Sequence, residues 1–247
     1  MCIIAIQPMG VKIKENILKN CWDSNNDGAG IMYVENGKII VQREMHSFSD
    51  FMKLKRHADK QNSNIVMHFR IATSGGINER NCHPFKVNND IYFCHNGILD
   101  IEVPKNSNIN DTQIFNNAFM KGLPNDFVKN TAIMQLLEYS IGERNKFVFL
   151  DSNGQFYILN ENAGRWDSGA WFSNDSYKTR SYYSYYKPNK KWEKDAFSEI
   201  DNELIDSGEL IMCESCNEIH SAEDIVHDKY FDLLLCKSCN EYCMDEK

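Results

Sequence analysis

Short apolar runs alternate with helical spacings along the first three-quarters of the chain. Ile3 to Ile6 form a continuous apolar stretch too short for a helix, which predicts a buried strand over residues 2–6. Ile13, Ile17 and Cys21 fall at four-residue spacing with Leu18 and Trp22 beside them, which predicts a helix. Runs 31–34 and 39–42, joined across Asn36-Gly37, read as a hairpin, as do 147–150 and 156–159 around Asn153-Gly154. Ser47 with Asp50 three residues on resembles a capping box, opening a helix that turns Phe51, Leu54 and Ala58 inward. Runs 65–69, 91–94 and 170–173 are further strands. A helix over 112–120 is expected to bury Ile114, Phe115, Ala118 and Phe119. A helix over 127–141 presents two apolar ridges, Val128-Ala132-Leu136 and Ile133-Leu137-Ile141, and is expected to lie on a sheet. Hairpins with interspersed helices point to a layered α+β fold rather than a doubly wound parallel sheet.

Composition narrows the classes. With 247 residues, 42% hydrophobic and 25% charged, the chain can bury one substantial core and carry a small appendage. A net charge of −8 argues against general binding to phosphate backbones. Residues 176–192 mix lysine and arginine with tyrosines and a tryptophan. We read that segment as a solvated edge rather than a nucleic-acid stacking surface. No apolar run matches a bilayer span, and the N-terminus lacks a secretory signal, so no membrane partner and a cytoplasmic location are expected.

Cys2 is the first candidate for chemistry. Removal of Met1 would leave one residue carrying both a thiol, with an ordinary pKa of about 8.5, and an α-amine, at about 7.7–8.0. Such a residue supplies a nucleophile and its base together. Taken alone, Cys2 reads better as a small apolar residue opening a buried strand. Three polar loops follow strands. His68 to Gly76 carries Arg70, able to hold a carboxylate, with the Thr73 hydroxyl beside it. Asn81 to Phe85 holds His83 before a proline. His95-Asn96-Gly97 offers an amide and a backbone N–H that can converge on one oxygen. Each loop also has an ordinary reading, as a turn, a surface ion pair or a structural histidine.

In this order behind Cys2, the loops resemble the class II glutamine amidotransferases of the N-terminal nucleophile (Ntn) hydrolase superfamily. Arg70, Ala72, Thr73 and Gly75 match the Arg-x-Ala-Thr-x-Gly loop, Asn81 and His83-Pro84 match Asn-x-His-Pro, and Asn96-Gly97 match the pair inside His-Asn-Gly. Asp27 to Gly30 matches an early Asp-x-x-Gly turn, and Asp111-Thr112-Gln113 a downstream acidic motif. Ser74 stands where some members have histidine. The resemblance implies a four-layer αββα sandwich, with Cys2 as nucleophile and Asn96 and Gly97 as the oxyanion hole. It implies L-glutamine as substrate, held by Arg70, Thr73, His83 and Asp111, with no cofactor in the catalytic site. Asp111 can equally cap the helix that begins there.

Cysteine spacing adds a second region. Cys213-x-x-Cys216, nineteen residues, then Cys236-x-x-Cys239 has the spacing of a structural four-cysteine zinc site. The expected organisation is a glutaminase domain over 2–185, a polar linker over 186–208 and a zinc-ribbon-like domain over 209–247. So small a tail leaves no room for a synthase, so ammonia released from glutamine is expected to pass to a separate acceptor enzyme. The competing reading is a catalytically inactive scaffold of the same fold, whose zinc ribbon binds a protein or nucleic-acid partner.

Overall fold

In the computed structural model the chain divides into two compact units, Met1–Ser181 and Tyr182–Lys247. The structure describes residues 2–72, 76–104, 109–178, 210–213, 219–228, 233–238 and 240.

The first unit runs β1 (Ile3–Gln7), α1 (Glu15–Ser24), β2 (Ala29–Glu35), β3 (Lys38–Glu44), α2 (Phe48–Ala58), β4 (Ile65–Phe69), β5 (Phe85–Lys86) and β6 (Ile91–Asn96). It continues through α3 (Asp111–Ala118), α4 (Thr131–Ile141), β7 (Lys146–Asp151), β8 (Phe156–Leu159), β9 (Arg165–Asp167) and β10 (Ala170–Phe172). The strands make a six-stranded sheet, β3-β2-β4-β1-β10-β9, and a four-stranded sheet, β5-β6-β7-β8. Every pairing is antiparallel.

The side-chain alternation of β1 explains the layering. Ile3 and Ala5 join Leu18, Cys21 and Trp22 of α1 and Phe51 of α2 in one apolar cluster. Ile4 and Ile6 turn the other way, to meet Cys94 of β6 and Val148 and Leu150 of β7 from the second sheet. A strand covered on both faces has no polar alternation, which is why residues 2–6 read as a continuous run. The outer face of the second sheet carries Phe93, Phe147 and Phe149 against Phe115 of α3 and Leu137 and Ile141 of α4. Helices, sheet, sheet and helices therefore stack in that order, and each large side chain so buried contributes about 1.5–3 kcal/mol.

Two helices depart from the expected faces. In α4 the Ile133-Leu137-Ile141 ridge packs on the sheet, with Met134 beside it; Leu136 is 70% exposed, and Val128 is buried from the turn before the helix. In α3, Phe119 is exposed, whereas Asp111, Thr112 and Asn116 are buried with Phe115. This helix turns polar residues inward because its N-terminus borders a polar pocket.

The second unit contains two antiparallel hairpins, β11 (Leu210–Met212) with β12 (Ile219–Ser221) and β13 (Ile225–Asp228) with β14 (Leu233–Cys236). Cys213, Leu235 and Cys236 form its buried cluster, with Ile225 packed against it. Most of the basic and aromatic segment, Cys216, Cys239 and the expected linker fall outside the described residues. Among the described residues no helix is long and apolar enough to cross a membrane.

Candidate active site

Strand pairing brings the first two candidates together. The β1–β4 register aligns Ile3 with Phe69, so the chain just before β1 runs beside the chain just after β4. Cys2 is half-buried, and its thiol donates to the Ile71 carbonyl at 3.3 Å while the Ile71 N–H reaches the sulfur at 3.4 Å. Burial pushes the thiol up from its ordinary range, and the Ile71 N–H and the Arg70 charge offset part of that rise. Arg70 is itself buried, and its Nη2 donates to the Gly76 carbonyl at 3.3 Å. Asn81 Nδ2 donates to the same carbonyl at 3.0 Å, joining the second polar loop to the first.

The turn at Asp27 and Gly28 holds the Arg70 loop in place. Arg70 N–H donates to the Gly28 carbonyl at 2.8 Å, Asp27 N–H to the Arg70 carbonyl at 3.0 Å, and Ala72 N–H to Asp27 Oδ2 at 2.8 Å. The Asp-x-x-Gly turn thus acts as a backbone clamp. The loop of His83 is clamped by Arg43, which donates to the carbonyls of Cys82 and Pro84.

His83 is buried with its ring centroid 4.2 Å from that of His68 and 4.3 Å from that of Phe85. Neither ring nitrogen has a hydrogen-bond partner among the described residues. Burial, then His68, His95 and the two arginines, hold its pKa well below the ordinary histidine range, so the ring is neutral. Burial likewise brings His68 down to about 3, and its Nε2–H donates to the His95 carbonyl at 3.1 Å.

His95 is a satisfied structural histidine on the outer face of its sheet. Asn145 Nδ2 donates to the Ile141 carbonyl, so its Oδ1 faces His95 Nε2 at 2.8 Å and must accept. That assigns the proton to Nε2, and Nδ1 accepts from Thr112 Oγ1 at 2.7 Å. Asn145 also explains the residue that follows Asn96. A β-carbon at Gly97 would lie 2.1 Å from Asn145 Oδ1, and Gly97 has φ +149°, a conformation that side chains resist. Asn96 alternates to the opposite face, where its Nδ2 donates to Ser173 Oγ at 2.8 Å.

Asp111 is the first residue of α3. The cap is Asn110, whose side chain and that of Gln113 form a reciprocal capping box, so the capping alternative for Asp111 gives way. The Asp111 carboxylate accepts from Leu99 N–H at 2.9 Å and Thr112 N–H at 2.8 Å, which fixes it at the edge of the pocket.

One pocket is lined by Cys2, Arg70, His83, Gly97 and Asp111, together with Ile71, His95, Asn110 and Thr112. Five of the residues singled out in the sequence therefore converge from separate elements. Asn96 is adjacent through Gly97, with its amide turned toward the first sheet, and Thr73 lies outside the described residues. Arg43, Asn145, Ser173 and Asn174, whose Nδ2 donates to the Cys2 carbonyl, went unrecognised in the sequence, because each acts through a contact with a residue far along the chain and sits in no local motif.

The chain belongs to the class II glutamine amidotransferases, whose family model matches residues 17–158. That span includes Arg70, His83, Asn96, Gly97 and Asp111, and begins after Cys2. No curated protein matches the chain significantly. Similar solved structures include a glutamine phosphoribosylpyrophosphate amidotransferase from B. subtilis complexed with ADP and GMP, at 16% identity and a TM-score of 0.38. An allosteric regulatory enzyme of purine biosynthesis is similar at 17% identity and a TM-score of 0.41. In both cases the match covers 70% of this chain and 41% of the other. A glutamine aminotransferase class-II domain protein from Silicibacter pomeroyi matches at 17% identity and a TM-score of 0.37, over 70% of this chain and 87% of its own.

Proposed function

We propose that this chain hydrolyses the side-chain amide of L-glutamine to glutamate and ammonia on an Ntn-hydrolase fold, and that the ammonia passes to a separate acceptor enzyme. The observation that carries this reading is the single pocket shared by Cys2, Arg70, Gly97 and Asp111. Once Met1 is removed, the α-amine of Cys2 accepts the thiol proton and sulfur attacks the carboxamide carbon, forming a C–S bond. The negative oxygen of the tetrahedral intermediate is met by the Asn96 amide and the Gly97 N–H. The ammonium of Cys2 returns its proton to the leaving nitrogen as the C–N bond breaks and ammonia departs. Water then cleaves the thioester and frees glutamate. Arg70, with Thr73, pairs with the substrate α-carboxylate and Asp111 with its α-amine; His83 supplies a neutral wall. A carboxylate offers about four acceptor sites, so Asp111 retains capacity beyond its two backbone bonds.

The test is glutamate release from L-glutamine by the full chain, with intact mass to verify loss of Met1 and Cys2→Ala as the control. A processed chain that leaves glutamine intact defeats the proposal and favours the scaffold reading.

A structural zinc ion in the second unit is a separate part of the proposal. Cys236 N–H donates to Cys213 Sγ at 3.2 Å, and N–H···S bonds favour a thiolate. Among the described residues no cluster of three or more ligating side chains occurs, and Cys216 and Cys239 lie outside them. Bound zinc would tie the two Cys-x-x-Cys turns together and stabilise a unit with a small core. One zinc per chain by elemental analysis, lost in Cys213→Ser, is the expected result; a metal-free folded chain refutes it.

A further inference from the structure

Ser173 follows β10, is fully buried, and touches both halves of the site. Its Oγ accepts from the Ile4 backbone N–H at 2.8 Å and from Asn96 Nδ2 at 2.8 Å. Ile4 lies on β1, two residues from Cys2, whereas Asn96 ends β6 in the other sheet with Gly97 next in the chain. A single oxygen therefore joins the strand of the nucleophile to the amide of the expected oxyanion hole. The surrounding backbone is tied down as well. Ser173 N–H donates to the Ile4 carbonyl at 3.0 Å, and Asn174 Nδ2 donates to the Cys2 carbonyl at 2.7 Å.

A primary amide carries two N–H bonds. Ser173 takes one from Asn96; among the described residues no acceptor takes the other, and Asn96 Oδ1 is buried with no partner. A buried amide left half-satisfied is costly unless a bound group completes it. Oδ1 lacks a donor and the second N–H lacks an acceptor; the oxygen of a tetrahedral intermediate is an acceptor for that N–H that exists only during reaction.

We infer that Ser173 is a positioning residue for amide hydrolysis: it fixes the rotation of the Asn96 amide so that the second N–H meets the developing oxyanion, while Asn174 sets the backbone of Cys2. This inference rests on the glutamine-hydrolysing reading of the site. Ser173 touches neither substrate nor reacting atoms and acts only through Asn96.

The experiment measures glutamate release by the full processed chain for wild type, Ser173→Ala, Ser173→Thr, Asn96→Ala and the Ser173→Ala/Asn96→Ala double variant, each with a thermal melt. Loss of an oxyanion donor costs about 10²–10³ in kcat, so misaligning one is expected to cost about 10–10² in Ser173→Ala with KM nearly unchanged. Ser173→Thr, which keeps the hydroxyl, recovers much of the rate. In the Asn96→Ala background, removing the Ser173 hydroxyl costs nothing further in kcat, because the two act as one unit. If Ser173→Ala does not fold, Ser173→Cys, with its weaker acceptor, is read in the same cycle. Unchanged kcat in Ser173→Ala, a loss that adds to that of Asn96→Ala, or a loss carried wholly by KM overturns the inference while leaving the parent function standing. A wild-type chain inert toward glutamine overturns both.

Discussion

A β-carbon placed on Gly30 would lie 1.8 Å from the carbonyl oxygen of His83. Gly30 sits in β2 opposite His68 on one side and Arg43 on the other, and Arg43 is the clamp on the His83 loop. The absence of a side chain at Gly30 is what lets that loop close over the sheet. Gly30→Ala is expected to destabilise by about 1–3 kcal/mol or more, as overpacking of a rigid contact does, and to raise KM for glutamine by displacing His83. Urea unfolding and steady-state kinetics check this; an alanine variant as stable and active as wild type contradicts it.

On the proposed function, the two charged ends of glutamine divide the roles of Arg70 and Asp111. A hydrogen bond to a charged group is worth about 1.5–3 kcal/mol, so Arg70→Ala and Asp111→Asn should each raise KM by roughly 10–100-fold, with a smaller effect on kcat. A substrate analogue sharpens the assignment. Glutaramate lacks the α-amine, so wild type should discriminate against it and Asp111→Asn should largely lose that discrimination. Equal discrimination by the two proteins would remove Asp111 from the amine site.

Burial holds the Cys2 thiol above its ordinary range and therefore protonated at neutral pH. With Met1 retained, the rate of alkylation by iodoacetamide should climb through pH 9 without levelling. Removal of Met1 places an α-amine on the same residue as an internal base, and the profile should shift to lower pH. A plateau below pH 8 in the unprocessed chain would show that some other group activates the sulfur.

Acid should destabilise the first unit before its carboxylates titrate. His68, His83 and His95 all have pKa values lowered chiefly by burial, His68 to about 3 against an ordinary 6.5. The unfolded chain binds protons at these rings below pH 6.5 and the folded chain does not, so stability is complete above 6.5 and falls as pH falls. Each ring accounts for up to about 1.4 kcal/mol per pH unit in that window. Urea midpoints should hold from pH 7.5 to about 6.5 and decline from there to pH 5; a flat profile would mean that the rings titrate in the folded state as they do in the unfolded chain.

The chemistry-bearing loops could be read along the chain because each is local. Arg70, His83, Asn96-Gly97 and Asp111 stand in short motifs at the ends of strands and helices, and β1 announced its two-sided burial by being apolar at every position from Ile3 to Ile6. The faces of α3 and α4 could not be read so directly. Hydrophobic spacing says that a helix has an apolar side, but Leu136 and Phe119 remain in solvent, because the neighbours that cover a helix are not written in its own spacing.

Sequence by itself determined the residue types of the site, the strand and helix alternation, and membership of the class II glutamine amidotransferases, since backbone propensity and side-chain chemistry are properties of neighbouring residues. Tertiary structure alone decided that Asn110 rather than Asp111 caps α3, that Asn145 fills the space beside Gly97, and that one hydroxyl at Ser173 bridges Ile4 and Asn96. The cap depends on which way a carboxylate turns, the pairing of β6 with β7 sets Asn145 beside Gly97, and the packing of one sheet on the other brings Ser173 within hydrogen-bond reach of Asn96.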